Sequence, residues 1–130
     1  MDNTNYQDVV NSFQSHPMSK YILADSLVKM WFDDALGEYE LNIQELHYDD
    51  ILSEFPIKLH QSVVKTIALL MYTNYLTREL SRAEKLNGIA GKDIQLTGSD
   101  GTKRVTLADL QLELNRANSM LDKQKTYKFD

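Results

Sequence analysis

The sequence predicts a mainly α-helical fold: a helical bundle with a β-hairpin between the last two long helices and a short C-terminal arm. Three observations lead to this prediction. Apolar residues keep a helical period over residues 57–87. Two β-prone runs flank a Gly- and Asp-rich turn within residues 92–105, which is typical of a hairpin. The residues that follow begin with a helix cap and continue as an apolar seam to about residue 125.

Length and composition indicate one globular domain, residues 1–130, which is long enough to bury a core without disulfides. Apolar residues make up 42% of the chain and charged residues 25%, which is ordinary for a globular protein. There is no cysteine, so disulfides and thiolate metal sites are excluded, and an intracellular or virion setting is expected. No apolar run approaches the roughly 18 residues of a membrane span, and the polar start does not resemble a secretory leader. We therefore expect no membrane contact.

Residues 1–17 are predicted to form an N-terminal helix or arm. Within them, residues 4–15 fit a short helix with Thr4 as its cap. Pro17 should end this helix, because the residue before proline avoids helical angles. One face of the helix carries its apolar residues: Tyr6, Val9, Val10 and Phe13.

The predicted core, residues 18–125, begins with a second helix that Ser19 could cap and that runs to about Leu36. Trp31 lies in its apolar stripe and is expected in the core. Gly37 interrupts the pattern, and the residues after it fit either a continued helix or an extended segment.

Between the second and third helices, helix is favoured over an extended segment as far as residue 46. Asp49 and Asp50 are predicted to open a short helical turn, with a loop over residues 53–56.

The third helix, residues 57–87, is the strongest helical pattern in the chain. Around residues 67–72 it is apolar on all sides, so Ile67, Leu70 and Met71 should lie at the buried centre. Gly88 is a natural stop for it.

The hairpin and the last helix meet at a well-formed helix start. Thr106 is the predicted cap and Asp109 a weaker stand-in for the usual Glu of a capping box, while Val105 and Leu110 fit a hydrophobic staple. The arm, residues 126–130, alternates polar and aromatic side chains. The seam of the last helix repeats at spacings of three and four, and its members Leu110 and Leu114 are expected in the core; the full set is Leu107, Leu110, Leu114, Ala117 and Leu121.

Charge is distributed unevenly along the chain. The net charge is −5, which argues against a generic nucleic-acid binder. Residues 25–54 contain nine acids and one base, Lys29, whereas residues 103–128 contain six bases and three acids. Solvated faces explain such a pattern most simply, and complementary contact between neighbouring copies is the alternative.

No catalytic, cofactor-binding or metal-binding motif emerges, so we expect no enzyme activity. The three histidines, His16, His47 and His60, lack a second histidine at metal-ligand spacing. His47 near Asp49 and Asp50 permits a weak metal or acid–base site, but helix-end and solvated roles are favoured for these acids.

The segment from Lys65 to Leu80, with its Tyr75-Leu76-Thr77-Arg78-Glu79 stretch, resembles the central helix of tailed-phage head–tail connector proteins, also called adaptor or head-completion proteins. The preceding acidic helix, with Trp31, Ala35, Leu36 and Tyr39, is similar as well. By architecture the resemblance covers about residues 18–125.

The resemblance implies a structural, homo-oligomeric ring at the head–tail junction (neck) of a virion, assembled in the host cytoplasm. Such a ring would dock on the portal protein and receive the tail or a second neck protein. DNA would pass through its lumen without sequence-specific binding. The interface is expected at the hairpin tip and the C-terminal arm, with the candidate residues Asp100, Lys103, Arg104, Tyr127, Lys128 and Phe129.

A winged-helix-like nucleic-acid-binding or regulatory module is the alternative. The hairpin of residues 92–105 would then be the wing, and Lys103 and Arg104 would touch phosphates. Nearby acids, Asp93, Asp100 and Asp109, weaken the electrostatic field that such a wing needs.

Overall fold

The structure, a computed structural model, describes residues 3–16, 23–87 and 107–126. These ranges contain four α-helices and no β-strand: α1 (Tyr6–Gln14), α2 (Asp25–Asn42), α3 (Gln61–Asn87) and α4 (Leu107–Thr126). The prediction of a helical bundle is therefore confirmed. The predicted hairpin, the Thr106 cap and the arm beyond Thr126 lie outside the described residues. Helix α2 begins at Asp25 with Ala24 as its cap, so the predicted start at Ser19 is wrong.

Helix α3 is the central helix, and α1, α2 and α4 all pack against it. Eight consecutive residues, 66–73, are buried, so this part of α3 is surrounded on every side, as its apolar pattern predicts. Of the predicted core residues, Trp31, Ile67, Leu70 and Met71 are buried. Leu110 is half-buried and packs against the core, and Leu114 is half-buried too.

Asn5, not Thr4, caps α1. Its side chain accepts a hydrogen bond from the Asp8 amide at 2.8 Å, and the Asp8 carboxylate accepts one from the Asn5 amide at 3.0 Å, which completes a capping box. Thr4 is buried instead, and its Oγ1 accepts a hydrogen bond from the Leu59 amide at 2.8 Å. Thr4 thus ties the start of α1 to the segment that leads into α3.

Helix α2 continues through Gly37 to Asn42, so the predicted end at Leu36 is wrong and the favoured continuation to residue 46 is four residues too long. Tyr39 explains the continuation, because its ring is 1% exposed and extends the buried stripe of the helix past the glycine. Gly37 is exposed with open space around its Cα, so it costs the helix only its intrinsic propensity.

Helix α3 begins at Gln61, four residues later than predicted. The segment before α3 is held in a non-helical path by the start of the chain, because the Thr4 amide donates a hydrogen bond to the Ile57 carbonyl at 3.2 Å. His60 then starts the helix: its Nδ1 accepts a hydrogen bond from the Ser62 amide at 3.2 Å, and its carbonyl accepts from Val63. His60 is therefore a cap and not a residue inside the helix, as the predicted range 57–87 has it.

A buried polar network joins α2, α3 and α4 through Gln124, which is 8% exposed. Its Oε1 accepts a hydrogen bond from the Tyr39 hydroxyl at 2.5 Å. Its Nε2 donates to the Thr66 hydroxyl at 2.6 Å and to the Ser62 carbonyl at 3.1 Å. Each polar atom of the buried amide thus has a partner, as buried polar groups require.

An aromatic stack holds the end of α1 against α3. The His16 ring lies flat on the Tyr72 ring with centroids 4.6 Å apart, and Tyr72 is stacked on Tyr75 at 5.8 Å. Burial lowers the pKa of His16, while the Glu113 carboxylate of α4 raises it and the Arg116 guanidinium lowers it. The fold therefore favours the neutral imidazole.

The protein is expected to lose stability as the pH falls through about 6.5, the ordinary pKa of histidine. The unfolded chain takes up a proton on His16 in this window and the folded chain does so only at lower pH, so stability rises with pH between the two pKa values. Urea unfolding of the wild type and of His16→Phe, which keeps a ring on Tyr72, should show a shallower pH dependence between 5 and 7 for the variant. Identical slopes would contradict this assignment.

None of the helices, over the residues that the structure describes, combines the length and apolar character needed to cross a membrane.

Candidate interaction surface

The six interface residues predicted from the sequence lie outside the described residues. This applies to Asp100, Lys103 and Arg104 of the predicted hairpin, and to Tyr127, Lys128 and Phe129 of the predicted arm. The described residues therefore neither bring them together nor separate them, and they stay predictions. Two other surfaces, one on the loop between α2 and α3 and one on α4, can be built from described side chains.

The acids around His47 have structural roles. The Asp49 Oδ1 accepts hydrogen bonds from the amides of Ile51 and Leu52, at 2.9 and 3.1 Å, and Asp50 pairs with Lys29. Within residues 3–16, 23–87 and 107–126, no three His, Asp or Glu side chains are grouped to hold a metal ion. These acids shape a turn, which differs from the helical turn predicted at this position.

Residues 49–54, named the tip turn here, form a closed reversal of the chain. The Asp49 amide donates to the Glu54 carbonyl at 2.8 Å, and the Glu54 amide donates back to the Asp49 carbonyl at 3.2 Å. Ser53 takes a left-handed backbone conformation with φ of 55°, which closes the turn at a conformational cost. The turn is thus fixed by its own backbone.

The tip turn is also anchored to α1 and α2. The Tyr6 amide donates to the Ser53 carbonyl at 2.8 Å. Lys29 on α2 places its Nζ 3.0 Å from Asp50 Oδ1 and 2.7 Å from Asp33 Oδ1. The turn is therefore held from two sides.

Lys29 also lies over an aromatic cluster, with its Nζ 5.6 Å from the centroid of the Phe32 ring and 5.8 Å from that of Tyr48. Burial disfavours its charged form, but the hydrogen bonds to Asp33 and Asp50 outweigh burial and raise the pKa of Lys29. The lysine therefore remains a cation throughout the physiological range and pairs α2 with the tip turn.

The tip turn presents two large aliphatic side chains to solvent. Ile51 is 93% exposed and Leu52 is 64% exposed, although the turn that carries them is rigid. The carboxylates of Asp49 and Asp50 stand beside them in the chain and are exposed as well. A rigid apolar point with an acidic rim is a surface suited to contact with another molecule, because little freedom is lost when it binds.

Helix α4 carries a complementary surface on its solvent side. Residues 112, 116, 119 and 123 share one face at helical spacing, and we name them the outer stripe: Leu112, Arg116, Ser119 and Lys123. All four are exposed, and they lie opposite the buried face formed by Ala117, Leu121 and Gln124. Leu112 is 57% exposed, and the two bases follow it along the stripe.

The two surfaces lie on different elements of the bundle. The tip turn bonds to Tyr6 at the beginning of α1, whereas the outer stripe runs along α4. Ile51, Leu52 and Leu112 are all exposed, so neither surface covers the other within one chain.

Sequence reasoning missed the tip turn, although a signal was present. Ile51 and Leu52 are adjacent apolar residues directly after two acids, and adjacent residues do not share a helix face. The unequal charge along the sequence does appear in space, because Asp33, Asp34 and Glu38 are exposed on α2 while Arg116, Lys123 and Lys125 are exposed on α4.

The chain matches no protein-family model, and neither curated proteins nor solved structures show a significant similarity to it.

Proposed function

We propose that this chain is a structural subunit that assembles into a homo-oligomeric ring and acts as an adaptor between a phage portal and the tail or next neck ring. The observation that carries the proposal is the tip turn, which holds Ile51 and Leu52 rigidly in solvent. Two adjacent aliphatic side chains that a hydrogen-bonded turn keeps in solvent favour contact with a partner, because little freedom is lost when such a turn binds. The resemblance of residues 65–80 to connector proteins supports the choice of assembly.

Two finer features belong to the same proposal. In this proposal the hairpin predicted at residues 92–105 and the arm predicted at residues 126–130 contact the portal or a neighbouring neck protein. The exposed acids of α2, Asp33, Asp34 and Glu38, face the lumen, where their charge repels DNA phosphates and keeps passing DNA from sticking.

Assembly is the test of this proposal. Sedimentation velocity and negative-stain imaging over a range of protein concentrations should show a closed oligomer in equilibrium with a 15.0 kDa monomer. Portal protein, where it is supplied, should lower the concentration at which the oligomer forms. A strict monomer at all concentrations that also fails to join portal complexes would rule the proposal out.

The winged-helix-like alternative makes a different expectation about DNA. With Lys103 and Arg104 as wing residues, duplex binding should weaken steeply with salt and be lost in Lys103→Ala/Arg104→Ala. The ring proposal expects no duplex affinity for the isolated chain, because its net charge of −5 opposes phosphate binding.

A further inference from the structure

We infer that neighbouring copies of this chain associate head to tail, with the tip turn of one copy seated on the outer stripe of the next. This inference rests on the proposed ring and goes beyond it by naming the two surfaces that meet. The partner of the tip turn is a second copy of the chain. Ile51 and Leu52 of one copy cover the exposed Leu112 of the next copy.

Charge favours this pairing. Exposed Asp49 and Asp50 adjoin the aliphatic side chains of the tip turn, and Arg116 and Lys123 follow Leu112 along the outer stripe. Asp50 pairs with Lys29 and Arg116 with Glu113 within each copy, but Asp50 and Arg116 both stay exposed to a neighbour. An acidic rim around an apolar point therefore meets a basic rim beside an apolar spot. Two tip turns facing each other would oppose like charges, which disfavours a symmetric dimer through this surface.

Geometry makes the contact directional. The tip turn and the outer stripe are two different surfaces of one copy and both are exposed, so a copy that is bound through one of them keeps the other free. A contact between two different surfaces repeats from copy to copy and closes into a ring when the rotation permits. The small tip turn buries little area, so a single contact is weak and closure of the ring stabilises all of them together.

Disulfide trapping tests the contact directly, because the chain contains no cysteine. The double variant Leu52→Cys/Leu112→Cys, oxidised under native conditions, should give a ladder of covalent oligomers on a denaturing gel. An equimolar mixture of the two single variants should stop at covalent dimers, because each chain then carries one thiol. A disulfide forms only where the Cα atoms come within about 7 Å, so the ladder reports a specific contact.

The matched control is Leu41→Cys/Leu112→Cys. Leu41 is 88% exposed on α2 and lies outside the tip turn, so this pair should give no more covalent product than random collision. Leu52→Cys alone should also give little dimer, because the proposed contact does not bring two tip turns together. An equal ladder from the control pair, or efficient dimers from Leu52→Cys alone, would overturn the head-to-tail contact.

Charge reversal supplies a second, independent readout. Arg116→Glu/Lys123→Glu on the outer stripe should raise the concentration needed for assembly at least tenfold, with unfolding by urea little changed. Lys125→Glu makes the same kind of change on another side of α4, where Lys125 lies 3.8 Å from Asp122, and should assemble like the wild type. Rings that form normally in the stripe variant would refute this interface while leaving the ring itself in place. A wild-type chain that never assembles would refute both.

Discussion

Replacing Phe32 with alanine is expected to lower the free energy of unfolding by about 3–5 kcal/mol, the range for truncation of a large buried aromatic side chain. Phe32 is fully buried, and its ring meets the edges or faces of three others: Tyr6 at 4.9 Å, Tyr48 at 5.0 Å and Phe55 at 6.4 Å between centroids. These rings come from α1 and from the loop between α2 and α3. The cavity that Phe32→Ala leaves among them therefore cannot be filled by moving one side chain.

Urea unfolding monitored by circular dichroism measures this loss. Leu41→Ala is the matched control, because Leu41 lies on the same helix but is 88% exposed, and it should change stability by less than about 0.5 kcal/mol. A loss below about 1 kcal/mol for Phe32→Ala would show that the aromatic cluster does not hold the loop to the bundle.

Phe32 also supports the tip turn, because Lys29 bridges Asp50 and lies over the Phe32 ring. The proposed assembly depends on a rigid tip turn, so Phe32→Ala should weaken assembly even under conditions where the bundle remains folded. Lys29, the one base among residues 25–54, thus links the core to the interaction surface.

The helices with sustained periodicity could be predicted from sequence. In α3 the apolar pattern repeats over many turns, so local propensity and burial agree, and the fully surrounded stretch at residues 66–73 follows from residues that are apolar on all sides. The apolar face of α1 was equally clear, and its buried members are Val9, Val10 and Phe13.

The helix ends could not be predicted, because contacts distant in sequence decide them. Gly37 is a local stop signal, yet burial of Tyr39 carries α2 past it. The sequence pattern predicts that α3 starts at residue 57, but the hydrogen bond from Thr4 to Ile57 holds that segment to the beginning of α1. In both places tertiary packing outweighs a local preference of about 1 kcal/mol.

The candidate surface was predictable only in its charge. The acidic and basic parts of the chain are visible in the sequence, whereas the rigidity of the tip turn arises from Asp49 capping its own turn and from Lys29 reaching it across 21 positions (29 to 50). Loops that are stabilised by such side-chain bonds carry no periodic pattern. Sequence reasoning therefore placed the interface on the hairpin and arm and overlooked this loop.

Gln124 is a polar residue whose position did carry a signal. The seam of α4 runs through Ala117 and Leu121, and the next position at a spacing of three is residue 124. A polar side chain at this buried position needs hydrogen-bond partners, and Tyr39, Thr66 and Ser62 supply them. This network should be the most pH-sensitive place in the fold when a carboxyl group replaces the amide.

The variant Gln124→Glu is expected to lose about 3–5 kcal/mol of stability at pH 8, because its carboxylate would be buried and would face the Ser62 carbonyl without a proton to donate. Burial raises the pKa of the introduced carboxyl above its ordinary value of about 4.3. The protonated group can accept from Tyr39 and donate one hydrogen bond, so the penalty should be smallest below about pH 4.3 and grow as the pH rises through the folded-state pKa.

The measurement is the difference in unfolding free energy between Gln124→Glu and the wild type, taken at each pH from 4 to 8. Asn118→Asp is the matched control: it makes the same amide-to-acid change on α4 at an exposed position, so its difference should stay within about 0.5 kcal/mol and nearly constant. A pH-independent loss in Gln124→Glu would mean that the site admits water and that the network does not bury its polar atoms. A loss that grows with pH would show that α2, α3 and α4 close around Gln124 in solution as they do in the structure.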